Sequence, residues 1–317
     1  MLGDLKRHRS NLKPSMTDAN KIKRLQFCVW MLDNYGLTTP CPFFKKMDNV
    51  VHIDEKWFYM TRISNNYYLL PGEPRPLRTV QNKNIIGKVM FLTAVAKPRF
   101  GEGGEVTFDG KIGTWAFVEE TPAKKNSKHR DRGTLEVKSV TVTRDAMREF
   151  ICKKVIPAIQ DRWPDEDVGR TILIQQDNAK PHLLPTDDAF QRVVDETDLD
   201  IKLIQQPPNS PDMNVLDLCF FRSLQSLTDS TAPTTIKELI EGVEEEYNNY
   251  DVQKLARSFI TLQYCMIEAM KVEGGIGCDL LHKHKERAEG KLPFITANLL
   301  AKTKALIEGQ AKKENVT

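Results

Sequence analysis

The sequence predicts an α/β domain built on a mixed β-sheet flanked by helices, and three observations carry that expectation. Segments rich in β-branched and aromatic residues occur early, at 50–60 and 89–96. Downstream, helical and strand-like patterns alternate: a helix over 143–162, a strand at 171–176, a helix after Pro185, a strand at 201–205 and a helix over 212–227. Between these halves, residues 98–138 turn Gly-rich and then basic, the pattern of an inserted hairpin or loop.

Taken in order, residues 1–15 form a basic, Pro-containing lead-in, and Thr17 is placed to cap a helix over 17–34. Ile22, Leu25, Phe27, Val29 and Leu32 give that helix an apolar side, so 1–45 reads as a basic linker and helix. After Pro40 and Pro42 comes the strand at 50–60, with a second expected at 67–70, ended by Pro71-Gly72. Residues 89–96 are apolar almost throughout, as in a central strand covered on both faces. The insertion holds short strand-like pieces at 106–108 and 114–118.

Pro207-Pro208-Asn209-Ser210-Pro211 is a loop that feeds the helix over 212–227. Thr235, with Glu238 three residues later, has the spacing of a capping box, and a further helix covers 252–272. From Lys302 onward Lys and Glu dominate without aromatic anchors, so 296–317 is expected to be a charged tail that frays. The main domain is then 46–295, within the size a single core can fill.

Composition excludes some classes of function. With 40% hydrophobic and 28% charged residues in 317, the chain has an ordinary soluble make-up, and no run approaches the roughly 20 apolar residues of a membrane span. The charged first residues carry no apolar core of a signal peptide, so neither membrane insertion nor secretion is expected. Cys28, Cys41, Cys152, Cys219, Cys265 and Cys278 are scattered without a CxxC pair, which suits reduced thiols. Cys278, His282 and His284 lack a fourth partner in register for zinc.

A net charge of +3 does not announce nucleic-acid binding, but its distribution is uneven. Lys6, Arg7, Arg9, Lys13, Lys21, Lys23 and Arg24 load the N-terminus, and Lys124, Lys125, Lys128, Arg130 and Arg132 crowd one central loop. Each cluster suits phosphate contact, although a charge run taken alone is more often a solvated face or flexible tail.

Three carboxylates occupy positions where a negative charge needs a reason. Asp54 lies inside the apolar strand Val51-His52-Ile53-Asp54, Asp177 ends the strand 172–176, and Asp217 sits among Val215, Leu216, Leu218 and Phe220. Carboxylates converging from strand ends and a helix start are the oxygen ligands that hard Mg²⁺ ions take, and two such ions serve phosphodiester chemistry. Asp212 competes for the third position, although after Ser210-Pro211 it is also placed as a helix N-cap. Glu55 should point away from Asp54 across the strand and serve as a salt-bridge partner. Lys56 and Trp57 are candidates for contact with a DNA backbone, and Asn178 and His182 for supporting Asp177 or simply closing its loop.

His52-Ile53-Asp54-Glu55-Lys56-Trp57-Phe58, Gln176-Asp177-Asn178-Ala179-Lys180-Pro181-His182 and Asn209-Ser210-Pro211-Asp212-Met213-Asn214-Val215-Leu216-Asp217 resemble, in order, the three catalytic blocks of mariner-like transposases of the Tc/mariner superfamily. The 39 residues between the second and third aspartates, 178 to 216, resemble the plant-type branch. Lys13-Pro14 with Thr17, Asn20 and Arg24 is similar to the segment joining the family's DNA-binding part to its core. Val215 stands where animal members usually carry Pro.

The resemblance implies a retroviral-integrase-like, RNase-H-like core. It implies two Mg²⁺ ions, replaceable by Mn²⁺, on Asp54, Asp177 and Asp217, and cut-and-paste transfer of double-stranded transposon DNA into a TA target by a homodimer in the nucleus. Lys13, Arg24, Lys56, Lys124, Lys125, Lys128, Arg130 and Arg132 are then the expected DNA contacts. Family members carry paired helix-turn-helix modules ahead of the core, whereas here Asp54 arrives almost at once. The chain is therefore expected to lack those modules, and the alternative is a truncated, inactive transposon-derived chain that binds DNA or protein.

Overall fold

The computed structural model describes residues 15–33, 42–60, 87–126, 131–167, 169–231, 233–276 and 292–314. In chain order the strands are β1 (Val50–Tyr59), β2 (Lys88–Ala96), β3 (Arg99–Phe100), β4 (Val106–Phe108), β5 (Lys111–Ala116), β6 (Val118–Pro122), β7 (Leu135–Ser139), β8 (Ile172–Gln176) and β9 (Ile201–Gln205). The helices are α1 (Asp18–Trp30), α2 (Arg144–Phe150), α3 (Ile156–Arg162), α4 (Asp188–Asp195), α5 (Phe221–Thr231), α6 (Ile236–Asn248), α7 (Val252–Lys271) and α8 (Ala297–Glu314). Two compact units emerge: one of Lys46–Gln206 and Asn214–Leu262, the other of Met1–Lys45, Pro207–Met213 and Gln263–Thr317.

The larger unit is organised by a five-stranded sheet in the order β5-β2-β1-β8-β9. β1 runs antiparallel to β2 and parallel to β8, and β8 runs parallel to β9, so the sheet is mixed as expected. Side chains alternate across each strand, and Val51 and Ile53 of β1 join Leu92, Ala94, Ile172 and Ile174 in one buried layer. Met147, Ile151, Val155 and Ile159 from α2, α3 and the turn between them cover that layer, together with Phe190 of α4. Each such side chain contributes about 1.5–3 kcal/mol by leaving water. Across the other face His52 meets the Phe259 ring of α7 edge-on, and the Tyr247 hydroxyl of α6 donates to the Ala94 carbonyl at 2.8 Å.

Several elements differ from expectation. The segment 98–138 is not one insertion: β3–β4 and β6–β7 are small hairpins, but β5 between them pairs with β2 as an edge strand of the main sheet. Gly110 leads into β5 at φ 75°, and its carbonyl accepts from Ala96 N at 2.7 Å, an approach so close that a Cβ would collide with the Ala96 carbonyl. The helix expected over 143–162 is α2 and α3 joined by a π-helical turn, Ile151–Val155. The helix expected over 212–227 is a 3₁₀ turn, Pro211–Met213, then a π-helical turn, Leu216–Phe220, then α5. The strand expected at 67–70 lies outside the described residues.

In the smaller unit Thr17 caps α1 through a bond from Asn20 N at 3.2 Å, as expected. The C-terminal region is no frayed tail in its described part. Thr296 caps α8 by accepting from Leu299 N, and Leu300 and Thr303 are buried as α8 packs on α1. Among the described residues no helix is long and apolar enough to cross a membrane.

Candidate active site

The register of β1 against β8 carries the first two carboxylates. Pairing runs from Val50 with Leu173 to His52 with Gln175 and stops there, and continuing the same offset sets Asp177 opposite Asp54. Asp177 therefore stands just past the carboxyl end of β8, and Asp54 stands within β1, still paired with Thr93 of β2 but beyond the last pair of the β1–β8 ladder. Gln176 and Gln205 donate to the Leu183 carbonyl at 2.6 and 3.2 Å, and Asn178 Nδ2 donates to the Gln206 carbonyl at 2.5 Å, which fixes the loop after Asp177 to the end of β9.

The third carboxylate arrives on the π-helical turn Leu216–Phe220. Asn214, fully buried, donates from Nδ2 to the Ile53 carbonyl at 3.1 Å and accepts at Oδ1 from Leu216 N at 3.0 Å. One side chain thus caps the turn and ties it to β1 beside Asp54. The carboxyls of Asp217 and Asp54 are near enough to act on each other's charge, while Asp54 Oδ1 accepts from Glu55 N at 2.8 Å.

Both carboxyls of the pair are raised. Burial pushes the Asp54 carboxyl well above the usual carboxylate range, and the charges of Asp217 and Glu55 push it further. Asp217 keeps an edge open to solvent, but desolvation of its carboxyl by the surrounding protein, with the charges of Asp177 and Glu55, raises it too, against the pull of Asp54 and Lys56. Such a pair has charge to give to a cation.

Asp177 has a different setting. Its Oδ1 accepts from Ala179 N at 2.7 Å and lies 2.7 Å from His182 Nδ1. The other ring nitrogen, Nε2, lies 2.9 Å from Glu55 Oε2. Burial pulls the imidazole down, but the bonds to Asp177 and Glu55 outweigh it and push His182 up to about 11, so it is an imidazolium between two carboxylates. Burial would raise the Asp177 carboxyl; His182 and the Ala179 amide hold it below the usual range instead. His52, buried against Phe259, is pulled by burial down to about 3 and stays neutral.

This donor set fits a hard divalent cation: all oxygen, two carboxylates already together and a third at the end of the neighbouring strand. Among the described residues no three metal-binding side chains are gathered tightly enough to hold an ion at once. Asp54 and Asp217 make the pair, and Asp177 stands apart with His182.

Other sequence candidates are sorted by their surroundings. Asp212 is neither a ligand nor a helix N-cap: its two oxygens accept from Arg24 Nη1 and Nη2 at 2.6 and 2.7 Å. Arg24 is correspondingly removed as a DNA contact, because its side chain is 0% exposed and its Nε donates to the Gly274 carbonyl. Glu55 serves as the expected salt-bridge partner, with His182 as its cation. Lys56 lies beside Asp217, its Nζ 5.7 Å from the Phe221 ring. Trp57 carries the ammonium of Lys88 over its ring at 4.2 Å. Lys124, Lys125 and Arg132 are exposed at the tip of the β6–β7 hairpin. Lys13, Lys128 and Arg130, and with them Cys278, His282 and His284, lie outside the described residues.

Asn214 was quoted in the motif without a role, and the bond of His182 to Glu55 was not foreseen. The first was legible as Asn at the mouth of a helix, a capping residue. The second joins residues 127 apart and left no local signal.

No family model matches the sequence, and no curated protein matches it. Among solved structures the chain is similar to a pre-cleavage Mos1 transpososome, with a TM-score of 0.61 at 16% identity over 86% of this chain and 68% of the other. It is similar to a Mos1 transposase paired-end complex with left transposon end, with a TM-score of 0.59 at 15% identity over 86% and 68%. It also matches the catalytic domain of Mos1 mariner transposase, with a TM-score of 0.53 at 14% identity over 83% of this chain and 98% of that one. The fold is therefore that of the Mos1 catalytic domain, an RNase-H-like mixed sheet flanked by helices.

Proposed function

We propose that this chain is the catalytic part of a mariner-like DNA transposase of the plant-type branch, cutting and joining phosphodiester bonds with divalent metal held by Asp54, Asp177 and Asp217. The observation that carries this is the Asp54–Asp217 pair, two neighbouring carboxylates brought together from β1 and the turn after Asn214, with Asp177 just past the end of the adjoining strand. The likeness to Mos1 structures, some solved with Mg or Mn, supports it from the side of the fold.

When bound, two Mg²⁺ or Mn²⁺ ions supply an activated oxygen nucleophile and charge compensation for the leaving oxygen. The chain's own residues supply the ligands and their geometry. Asp54 and Asp217 offer oxygens from strand and turn, Asn214 fixes the turn against β1, and Lys56 offsets the local negative charge. Lys124, Lys125 and Arg132, exposed on one hairpin, suit phosphates of a duplex, with Lys13, Lys128 and Arg130 assigned the same role from sequence. A homodimer holding two transposon ends over a TA target in the nucleus completes the proposal. An inactive relic would gain from replacing a raised carboxylate pair by apolar or amide side chains, and this chain retains the pair.

Incubation of the full chain with linear duplex DNA in Mg²⁺ or Mn²⁺ tests the assignment. Strand cleavage is expected from the wild-type chain and none from Asp177→Asn, with both proteins folded by circular dichroism. Equal cleavage by both would overturn it. Binding to duplexes of any sequence should weaken steeply with salt if the hairpin cations grip phosphates, and salt-resistant binding would count against that interface.

A further inference from the structure

The Asp177 carboxylate is held by more than its own loop. Its Oδ1 accepts from the Ala179 amide at 2.7 Å and stands 2.7 Å from His182 Nδ1, which also reaches the Asp177 main-chain carbonyl at 3.0 Å. His182 is 2% exposed, and its far nitrogen is spent on Glu55 at 2.9 Å. Glu55 follows Asp54 on β1, on the opposite face of the strand, so the imidazole connects the strand of the first carboxylate to the loop of the second. It does so beyond the point where the β1–β8 ladder ends at His52 and Gln175. No backbone bond of that ladder remains there to fix the distance between the two strand ends.

A buried imidazole set between two carboxylates is an expensive way to close a loop, and the loop is already closed by other bonds. His182 N donates to the Ala179 carbonyl at 3.0 Å, and two glutamine amides hold the Leu183 carbonyl. What the imidazole adds is a fixed rotamer for Asp177. With the amide bond and the imidazole contact both on Oδ1, Oδ2 is the oxygen left without a partner among the described residues.

Building on the proposed metal chemistry, we propose that His182, anchored by Glu55, is a positioning residue that locks the Asp177 carboxylate through Oδ1 and presents Oδ2 to the divalent ion. Partners of this kind behind a metal ligand typically change metal affinity by about 10–100-fold when lost.

The two ring nitrogens can be removed separately. In His182→Asn the amide nitrogen takes the place of Nδ1, keeping the bond to Asp177 and losing Glu55. In His182→Gln it takes the place of Nε2, keeping Glu55 and losing Asp177. Mn²⁺ binding to the full chain, followed by calorimetry and by the paramagnetic resonance signal of the free ion, is expected to weaken about 10–100-fold in His182→Gln and less in His182→Asn. Glu55→Ala, which leaves every direct neighbour of Asp177 in place, should weaken it severalfold at an unchanged far-ultraviolet spectrum, and it stands in should His182→Gln fail to fold. Wild-type affinity in folded His182→Gln, or in Glu55→Ala, overturns the positioning role. A wild-type chain that binds no Mn²⁺, or an Asp177→Asn chain that binds it equally well, overturns the metal assignment and the positioning role with it.

Discussion

Asp212 and Asp217 lie five residues apart in sequence and could hardly be treated more differently. Asp212 receives a guanidinium: both its oxygens face Arg24, whose side chain is completely buried and whose remaining donors reach the Gly274 and Gly275 carbonyls at 2.9 and 3.4 Å. Gly274 holds φ 85° there, and a Cβ would collide with the Lys21 carbonyl, so the loop approaches α1 as only glycine allows. Asp217 receives another carboxylate instead, on a turn open to solvent. A charge matched inside the protein is finished business and serves structure. A charge set against its like, where an ion can reach it, is available to something from outside.

The comparison breaks first if Asp217 proves dispensable. Asp217→Asn is expected to reduce metal-dependent DNA cleavage by roughly a thousandfold or more, since metal-borne charge stabilisation is worth several kcal/mol and each 1.4 kcal/mol is tenfold. Its melting temperature should equal or exceed that of wild type, because repulsion is removed and no partner is orphaned. A destabilised but active Asp217→Asn would make Asp217 structural after all. Arg24→Ala should do the reverse, lowering stability by about 3–5 kcal/mol in denaturant titrations because Asp212 is left facing a buried void. The double replacement Arg24→Met with Asp212→Leu should recover most of that loss. If it does not, the ion pair is more than a matched charge.

Much of this contrast was legible in the sequence, and the part that was not has a common cause. Thr17 and Thr235 were readable as caps because a cap bonds three residues ahead, and both do. The strand Ile201–Gln205 is readable from its apolar residues, and the nearness of Asp54 to Asp217 is foreshadowed by two charges set among apolar neighbours. Asp212 was misread because local context pointed to a cap, whereas its partner Arg24 is 188 residues away. Strand β5 is legible only from 114 onward, past Gly113, and its place in the main sheet is not legible at all, because it depends on the edge that β2 offers. The π-helical turn that carries Asp217 looks like any apolar helix in sequence; the tie of Asn214 to β1 accompanies its special course. The helix α8 was taken for a tail because its support comes from α1, at the opposite end of the chain.

Asn214 sharpens the comparison at the next smaller scale. Asn214→Ala removes the donor to the Ile53 carbonyl and the acceptor for Leu216 N, both buried, and should lower stability by about 1–3 kcal/mol. If the tie also places Asp217, cleavage at a temperature where the variant is fully folded should still fall about tenfold or more, the range for a residue that orients a ligand. Undiminished cleavage would reduce Asn214 to a cap.

The smallest effect concerns a matched charge whose cation, Arg148, is less buried than Arg24. Asp187 caps α4 by accepting from Ala189 N and Phe190 N at 3.2 and 3.1 Å, and it faces Arg148, whose Nη2 lies 2.9 Å from Oδ2. The Arg148 bond is the main reason its carboxyl is held below the usual value of 3.8; burial opposes it, and the helix amides assist. A carboxyl lowered by folding binds protons less readily in the folded chain than in the unfolded one. Its contribution is therefore complete above the unfolded value and is lost as pH falls through the lower folded value. Asp187→Asn keeps an oxygen for the cap and discards the charge. It should melt slightly below wild type at neutral pH, and the gap should close as pH falls below about 4, where the wild-type carboxylate is protonated as well. Asp54 and Asp217, raised rather than lowered, contribute with the opposite sign and cannot produce that closure. A gap that stays constant from neutral pH down to about 3 would mean that the cap geometry, and not the matched charge, is what Asp187 provides.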